Sequence, residues 1–256
     1  MAAEGPFAAA LRYLHRDDNP GAQRAASQAL APWLAEGRAG FIGESALLKP
    51  FQGAVISNEL FDALPAQPWR WDGTRWVREV LSASGPEWEA APPGDAQTWF
   101  ESQAGELEPG DGSVWCAGLP GLVDSLCAPL QQGLFLAIDY GDSARHLLGK
   151  GADLRRFKSH QVDGRWWEDL GSCDLTADVD FTRLRALLAA HGLEGFEEGT
   201  LSRWIREHAP LLEWEQAWQS LETRDRLKRT ENLLQLTLPG LLGERFRLLE
   251  AWKATS

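Results

Sequence analysis

The chain has no apolar run approaching the ~20 residues that a bilayer-spanning helix needs, so no membrane insertion is expected. It opens MAAEGPFAAALRYLHRDDNP, with no Lys/Arg-led apolar segment and no small-residue cleavage site. That reads as a soluble, intracellular protein without a secretory leader. Basic residues are in short supply, Lys+Arg 25 against Asp+Glu 37, for a net charge of -12. A nucleic-acid binder needs a cationic footprint. The basic clusters here, Arg155-Arg156-Phe157-Lys158 and residues 224–229, are short and read as solvated faces. The acidic balance suits a basic protein or peptide partner better. Cysteine is scarce too: Cys116, Cys127 and Cys173 are widely spaced and form no C-x-x-C pair. Neither a disulfide framework nor a zinc knuckle follows, and His160 with Cys173 lacks the further ligands a metal would need.

What is present is enough to build a core. At 256 residues and 44% hydrophobic content, the chain can bury one substantial core, with or without a small subdomain. The 13 Trp residues are scattered apart from Trp166-Trp167. They suit core and hairpin packing, and a carbohydrate or peptide surface is the rival use.

Local patterns give an α/β succession. Leu11–Arg16 reads as a short strand, and Asn19 as an N-cap with Pro20 at the first helical position. Ala22, Ala25, Ala26, Ala29, Leu30, Trp33 and Leu34 then recur at helical spacing, predicting a helix to about Gly37 disturbed at Pro32. Ala39–Ile42 and Ala54–Ser57 follow as strands. From Trp69 the period changes to two, and an Asp72-Gly73 turn predicts a hairpin between Trp69–Trp71 and Thr74–Val80. Residues 82–113 read as an irregular connection, so 66–113 form an insertion. Leu119–Leu130 predicts a helix, Gly133–Ile138 a strand, and 142–171 a long polar loop. Asp180 caps a helix with Phe181, Leu184, Leu187 and Leu188 inward, ended at His191-Gly192. The region 181–238 is expected to be helical and Phe246–Trp252 to be a final edge strand.

Two apolar runs end in acids. Gly53–Ser57 leads into Asn58-Glu59-Leu60-Phe61-Asp62-Ala63-Leu64-Pro65, and Gly133–Ile138 into Asp139-Tyr140-Gly141. Open α/β sheets place their ligand crevice at such strand ends. Burying charged groups is costly unless they are paired or bind something. The alternative for the first is a helix start with Asn58 as N-cap and Glu59 in its first turn.

Four blocks stand in order: NELFDALP (58–65), GLFLAIDYG (133–141), DLTADVDF (174–181) and LPGLLGERF (238–246). Together they resemble the MidA family of S-adenosylmethionine-dependent methyltransferases, which includes a mitochondrial complex I assembly factor. The resemblance implies one domain over residues 1–256, a class I, Rossmann-like α/β sandwich carrying a β-hairpin and helical insertions. It implies S-adenosylmethionine as cofactor and a protein substrate offering a cationic arginine. It also implies Glu59, Asp62 and Asp139 as catalytic carboxylates, Asp17 and Asn58 as cofactor ligands, and Tyr140 and His160 as substrate-binding residues. Thr176 and Asp178 suit local turn hydrogen bonds, and Glu244 with Arg245 a structural ion pair. A bacterial cytoplasm or a mitochondrial matrix is the implied location.

The chain departs from the family at its start. Where members carry a strand and a glycine-rich turn, only Glu4-Gly5-Pro6 is available, and Pro6 offers no N–H. The first βα unit is therefore expected to be incomplete, which weakens cofactor binding. It would also leave strand edges open to self-association. A cofactor-free binding or assembly module using the acidic crevice is the competing function.

Overall fold

The computed structural model describes residues 9–17, 19–43, 48–158 and 161–254. These fall into two compact units, Met1–Phe51 and Gln52–Ser256. In the first unit β1 (Tyr13–His15) pairs in parallel with β2 (Ala39–Phe41), Tyr13 opposite Ala39. Between them run α1 (Pro20–Ala29) and α2 (Ala31–Ala35), the helix expected to reach Gly37 being broken at Leu30, just before Pro32. Asn19 caps α1 as the sequence indicates, its side-chain oxygen accepting from the N–H groups of Gly21 and Ala22. The Glu4-Gly5-Pro6 segment lies outside the described residues.

The strand β3 (Phe51–Asn58), in the second unit from Gln52 on, leads into a small antiparallel sheet. Its strands are β4 (Gln67–Trp71), β5 (Trp76–Ser82), β6 (Gly85–Ala90) and β7 (Gly112–Trp115), in the order β6-β5-β4-β7. The Asp72-Gly73 hairpin stands as expected, with Trp71 opposite Trp76. Residues 82–113 are not irregular. They supply β6, α3 (Asp95–Gln103) and the start of β7. Pro86 and the acids of β6 hide its propensity, which cross-strand contacts override: Arg78 pairs with Glu89 at 2.7 Å, and Arg70 lies over the Trp88 ring. Trp69, Trp76, Ala96 and Phe100 form the core of this sheet.

After α4 (Leu119–Cys127) comes the long β8 (Leu130–Asp142), at the centre of the main sheet. Residues 142–171, read as a loop, hold α5 (Ala144–Lys150), β9 (Leu154–Lys158) and β10 (Gln161–Asp163). With β11 (Asp174–Ala177) the two strands make a three-stranded sheet, order β10-β9-β11. Its polarity misled because Arg156 is buried among Asp163, Glu168 and Asp169 instead of being solvated.

The short β12 (Val179–Asp180) leads into α6 (Phe181–Ala190), capped by Asp180 as expected. The region 181–238 is not wholly helical. The strand β13 (Leu193–Thr200) precedes α7 (Leu201–His208), α8 (Leu211–Trp218) and α9 (Thr223–Thr237). After α10 (Leu242–Arg245) comes β14 (Phe246–Lys253), which lies between β8 and β13 and is not an edge. The edge is β13, whose three Glu and two Gly in the run Leu193–Thr200 and its one-sided burial conceal a strand.

The main sheet runs β12-β8-β14-β13, with β3 also on β8. Gly53 faces Gly133 closely, and farther along Glu59 N–H donates to the Ile138 carbonyl at 2.9 Å, so β3 and β8 advance together as adjacent parallel strands. Gly133 holds φ +136, and a Cβ there would stand 1.8 Å from the Gly53 carbonyl oxygen. Phe135, Ala137, Leu249 and Ala251 meet Phe181, Leu184 and Leu188 of α6 and Val123 of α4 in the main core. None of the helices among the described residues is long and apolar enough to cross a membrane.

Candidate active site

The end of β3 does not start a helix. Glu59 turns into a left-handed backbone at φ 49, and residues 61–64 form a tight turn closed by Leu64 N–H on the Phe61 carbonyl at 3.3 Å. The N-cap alternative for Asn58 is thereby removed. Phe61, 2% exposed, pins the turn into the core, while Asn58 and Glu59 are exposed and joined by an Asn58 Nδ2 to Glu59 Oε1 bond of 3.3 Å.

The turn is shaped from beneath by Asp139. This residue is 0% exposed, and its Oδ2 accepts from the N–H groups of Leu60 at 3.1 Å and Phe61 at 2.8 Å. Its Oδ1 accepts from Tyr140 N–H at 3.0 Å. Asp139 was expected to line the crevice. It lies inside the turn instead, because the unpaired N–H groups that follow β3 need an acceptor. Asp62, 8% exposed, sits beside it, close enough for its charge to act on the Asp139 carboxyl. Asp62 Oδ2 accepts from Thr176 Oγ1 at 2.8 Å, and its carbonyl from Ala177 N–H at 3.1 Å.

Two neighbouring carboxylates out of water cannot both be charged cheaply. Burial, then the Asp62 charge, pushes Asp139 up to about 7, and burial raises Asp62 as well. Tyr140 packs against Phe246 with its ring tilted by 31°, ring centroids 4.1 Å apart. Burial and then the Glu59 charge raise its phenol, with Arg245 acting the other way. The rim therefore carries Asn58, Glu59, Tyr140 and Arg245.

The other expected residues have surroundings of their own. Asp17 closes the strand region of the first unit half-buried, one oxygen accepting from Asn19 N–H at 2.7 Å. His160 lies outside the described residues. Glu244 reaches Arg206 at 3.8 Å and not Arg245. Asp178 pairs with Arg155 at 2.6 Å and Lys150 at 3.3 Å in place of local turn bonds. Among the described residues no group of three His, Cys, Asp or Glu could hold a metal ion. Thr176 and Arg245 stand at the site although the sequence reading gave them a local turn bond and a structural ion pair. Nothing local marks the site role of Thr176, which meets its partner across 114 residues.

Comparison with known proteins bears on this geometry. A family model described as "Putative S-adenosyl-L-methionine-dependent methyltransferase" matches residues 2–198. The crystal structure of an uncharacterized protein from Burkholderia thailandensis superposes with a TM-score of 0.78 at 21% identity, covering 94% of this chain and 66% of that one. A second from the same organism, solved bound to S-adenosyl-homocysteine, gives 0.76 at 20% identity, covering 95% and 64%. At such identities these likenesses establish the α/β fold, and the chain spans just under two thirds of their lengths. No curated protein matches the chain.

Proposed function

The chain belongs to the methyltransferase family whose model it matches, and from that premise we propose that it transfers a methyl group from S-adenosylmethionine to an arginine nitrogen of a protein. The observation that carries this reading is the turn after β3, which leaves Glu59 exposed at the rim of two parallel strands and buries two more carboxylates behind it. Glu59 holds the substrate guanidinium through paired charge-assisted hydrogen bonds and takes up a proton as the nitrogen attacks. Tyr140 flanks that cation, and His160 keeps the substrate-side role that the resemblance implies. Asp62 and Asp139 do not touch substrate; they position the turn.

The resemblance assigns the cofactor to Asp17 and Asn58, each taken within its own unit. Asp17 stands just beyond a parallel strand, a place where a carboxylate can accept ribose hydroxyls, and Asn58 offers an exposed amide at the end of β3. When bound, S-adenosylmethionine supplies an electrophilic methyl group on a sulfonium. Assistance to respiratory-complex assembly, in a bacterial cytoplasm or a mitochondrial matrix, belongs to the same reading. Calorimetry with S-adenosyl-homocysteine tests it. Saturable binding weakened by Asn58→Ala or Asp17→Asn supports the enzyme. No heat at millimolar ligand sinks it and leaves the cofactor-free binding module. Glu59→Gln should abolish methyl transfer with the thermal melt unchanged, because the side chain is exposed.

A further inference from the structure

Two consecutive residues of β11 grip Asp62 at both ends: Thr176 Oγ1 on its carboxylate and Ala177 N–H on its carbonyl. Asp62 directly follows Phe61, and Asp139 beside it accepts from Leu60 and Phe61 N–H. The segment 60–62 is thus held from two sides, by β11 through Asp62 and by β8 through Asp139. These holds start in the three-stranded sheet and end one residue from Glu59. The left-handed backbone of Glu59 is one that a side-chain-bearing residue keeps only where its surroundings over-determine it.

We propose that Thr176 is a positioning residue of this site: its hydroxyl holds the Asp62 carboxylate against Asp139 and so fixes the turn that keeps Glu59 on the exposed rim. What Glu59 then does rests on the methyl-transfer reading, whereas the hydrogen bonds on Asp62 and Asp139 stand without it. Arg155 and Cys116 face the two carboxyls, with Glu59, Tyr140 and Arg245 at the rim.

The test replaces the hydroxyl by a methyl group of similar size, Thr176→Val, with Thr176→Ser as the rescue. Carboxyl-carbon NMR titration of Asp-labelled protein follows Asp62, and amide exchange follows Leu60 and Phe61. Losing a hydrogen bond to the charged form raises the Asp62 midpoint by about one pH unit. The two turn amides should exchange about tenfold faster while amides of the main core hold, and Ser should restore both. A purely packing role would lower the melting temperature and leave the midpoint in place. An unchanged midpoint in the Val variant, or a Ser variant that behaves like Val, overturns the proposal. If the Val variant does not fold, Asp62→Asn takes its place: unchanged Leu60 and Phe61 exchange overturns the proposal, and a selective rise supports it. Calorimetry with S-adenosyl-homocysteine on the wild type separates the two ideas. Absent binding removes the methyl-transfer reading alone, and a flat NMR response removes the role of Thr176 alone.

Discussion

The two units reach their secondary structure by different means. Among the described residues of 1–51, α1 and α2 bury no residue, β1 and β2 have three residues each, and Leu11, Tyr13, Leu14, Trp33 and Phe41 stay exposed. Parallel strands are ordinarily covered on both faces, and two-stranded sheets and short helices are marginal alone. What is visible in that unit is local: an Asn cap, a proline at the first helical position and one parallel register. Residues 52–256 instead close a core in which Phe135, Phe181, Leu184, Leu188 and Leu249 are fully buried. The comparison teaches that local signals suffice to write an element, while holding a charged site needs a core beneath it. Among the described residues, every buried charged side chain, Asp62, Asp139, Arg156 and Arg183, belongs to the second unit.

The sharpest way to break this contrast is to cut both units alike. Phe181→Ala removes a 0% exposed ring from the main core and should cost ~3–5 kcal/mol. Trp33→Ala removes a larger ring that is 47% exposed and should stay within ~1 kcal/mol. Denaturant melts of both variants check this, and equal losses would erase the distinction.

Next in size is the pH response, confined to the second unit. Asp139 is raised to about 7 in the folded chain, against an unfolded value near ~3.9. Between these values the folded state binds more protons, so stability is fully present below about 4 and falls as pH rises through about 7. The loss is on the order of 2–4 kcal/mol. Melts from pH 4 to pH 8 should show this decline, and Asp139→Asn should flatten it. A third cut, Gly133→Ala, places a Cβ against the Gly53 carbonyl and should cost ~1–3 kcal/mol. Faster exchange of the Glu59 amide would show that the β3–β8 contact was the part that opened.

These contrasts also mark what the sequence could reveal. The Asn19 cap, the Asp72-Gly73 hairpin, the Asp180 cap and the apolar runs of β3 and β8 all rest on neighbours within a few residues, and all are present. From those runs the adjacency of Asn58 and Asp139 was also legible, because parallel strands ending in acids share a rim. The β6 and β13 strands were not legible. Their residues are acidic or glycine-bearing, and only pairing with distant partners makes them strands. The same holds within the site. Glu59 and Asp139 could be picked out as carboxylates at strand ends, but not which of them faces solvent. That depends on where the unpaired amides of Leu60 and Phe61 find an acceptor.

The smallest expected effect concerns the first unit alone. Asn19 Oδ1 accepts from Gly21 N–H at 2.7 Å and Ala22 N–H at 3.3 Å, satisfying two of the donors left open at the start of α1. Asn19→Ala removes both bonds and should cost about 1 kcal/mol of helix stability. Because α1 buries no residue, little tertiary contact opposes its fraying, so the cost should appear locally. Amides of residues 21–26 should exchange about fivefold faster, and the melt of the second unit should not move. The matching change at the other cap, Asp180→Ala, removes the acceptor of Arg183 N–H at 3.0 Å and of Trp99 Nε1 at 2.7 Å, and α6 lies in the core. There the same lost cap should lower the global melt instead. If Asn19→Ala also lowered the global melt, the first unit would be contributing to the core stability that its exposed side chains deny it, and the division drawn between the two regions would fall.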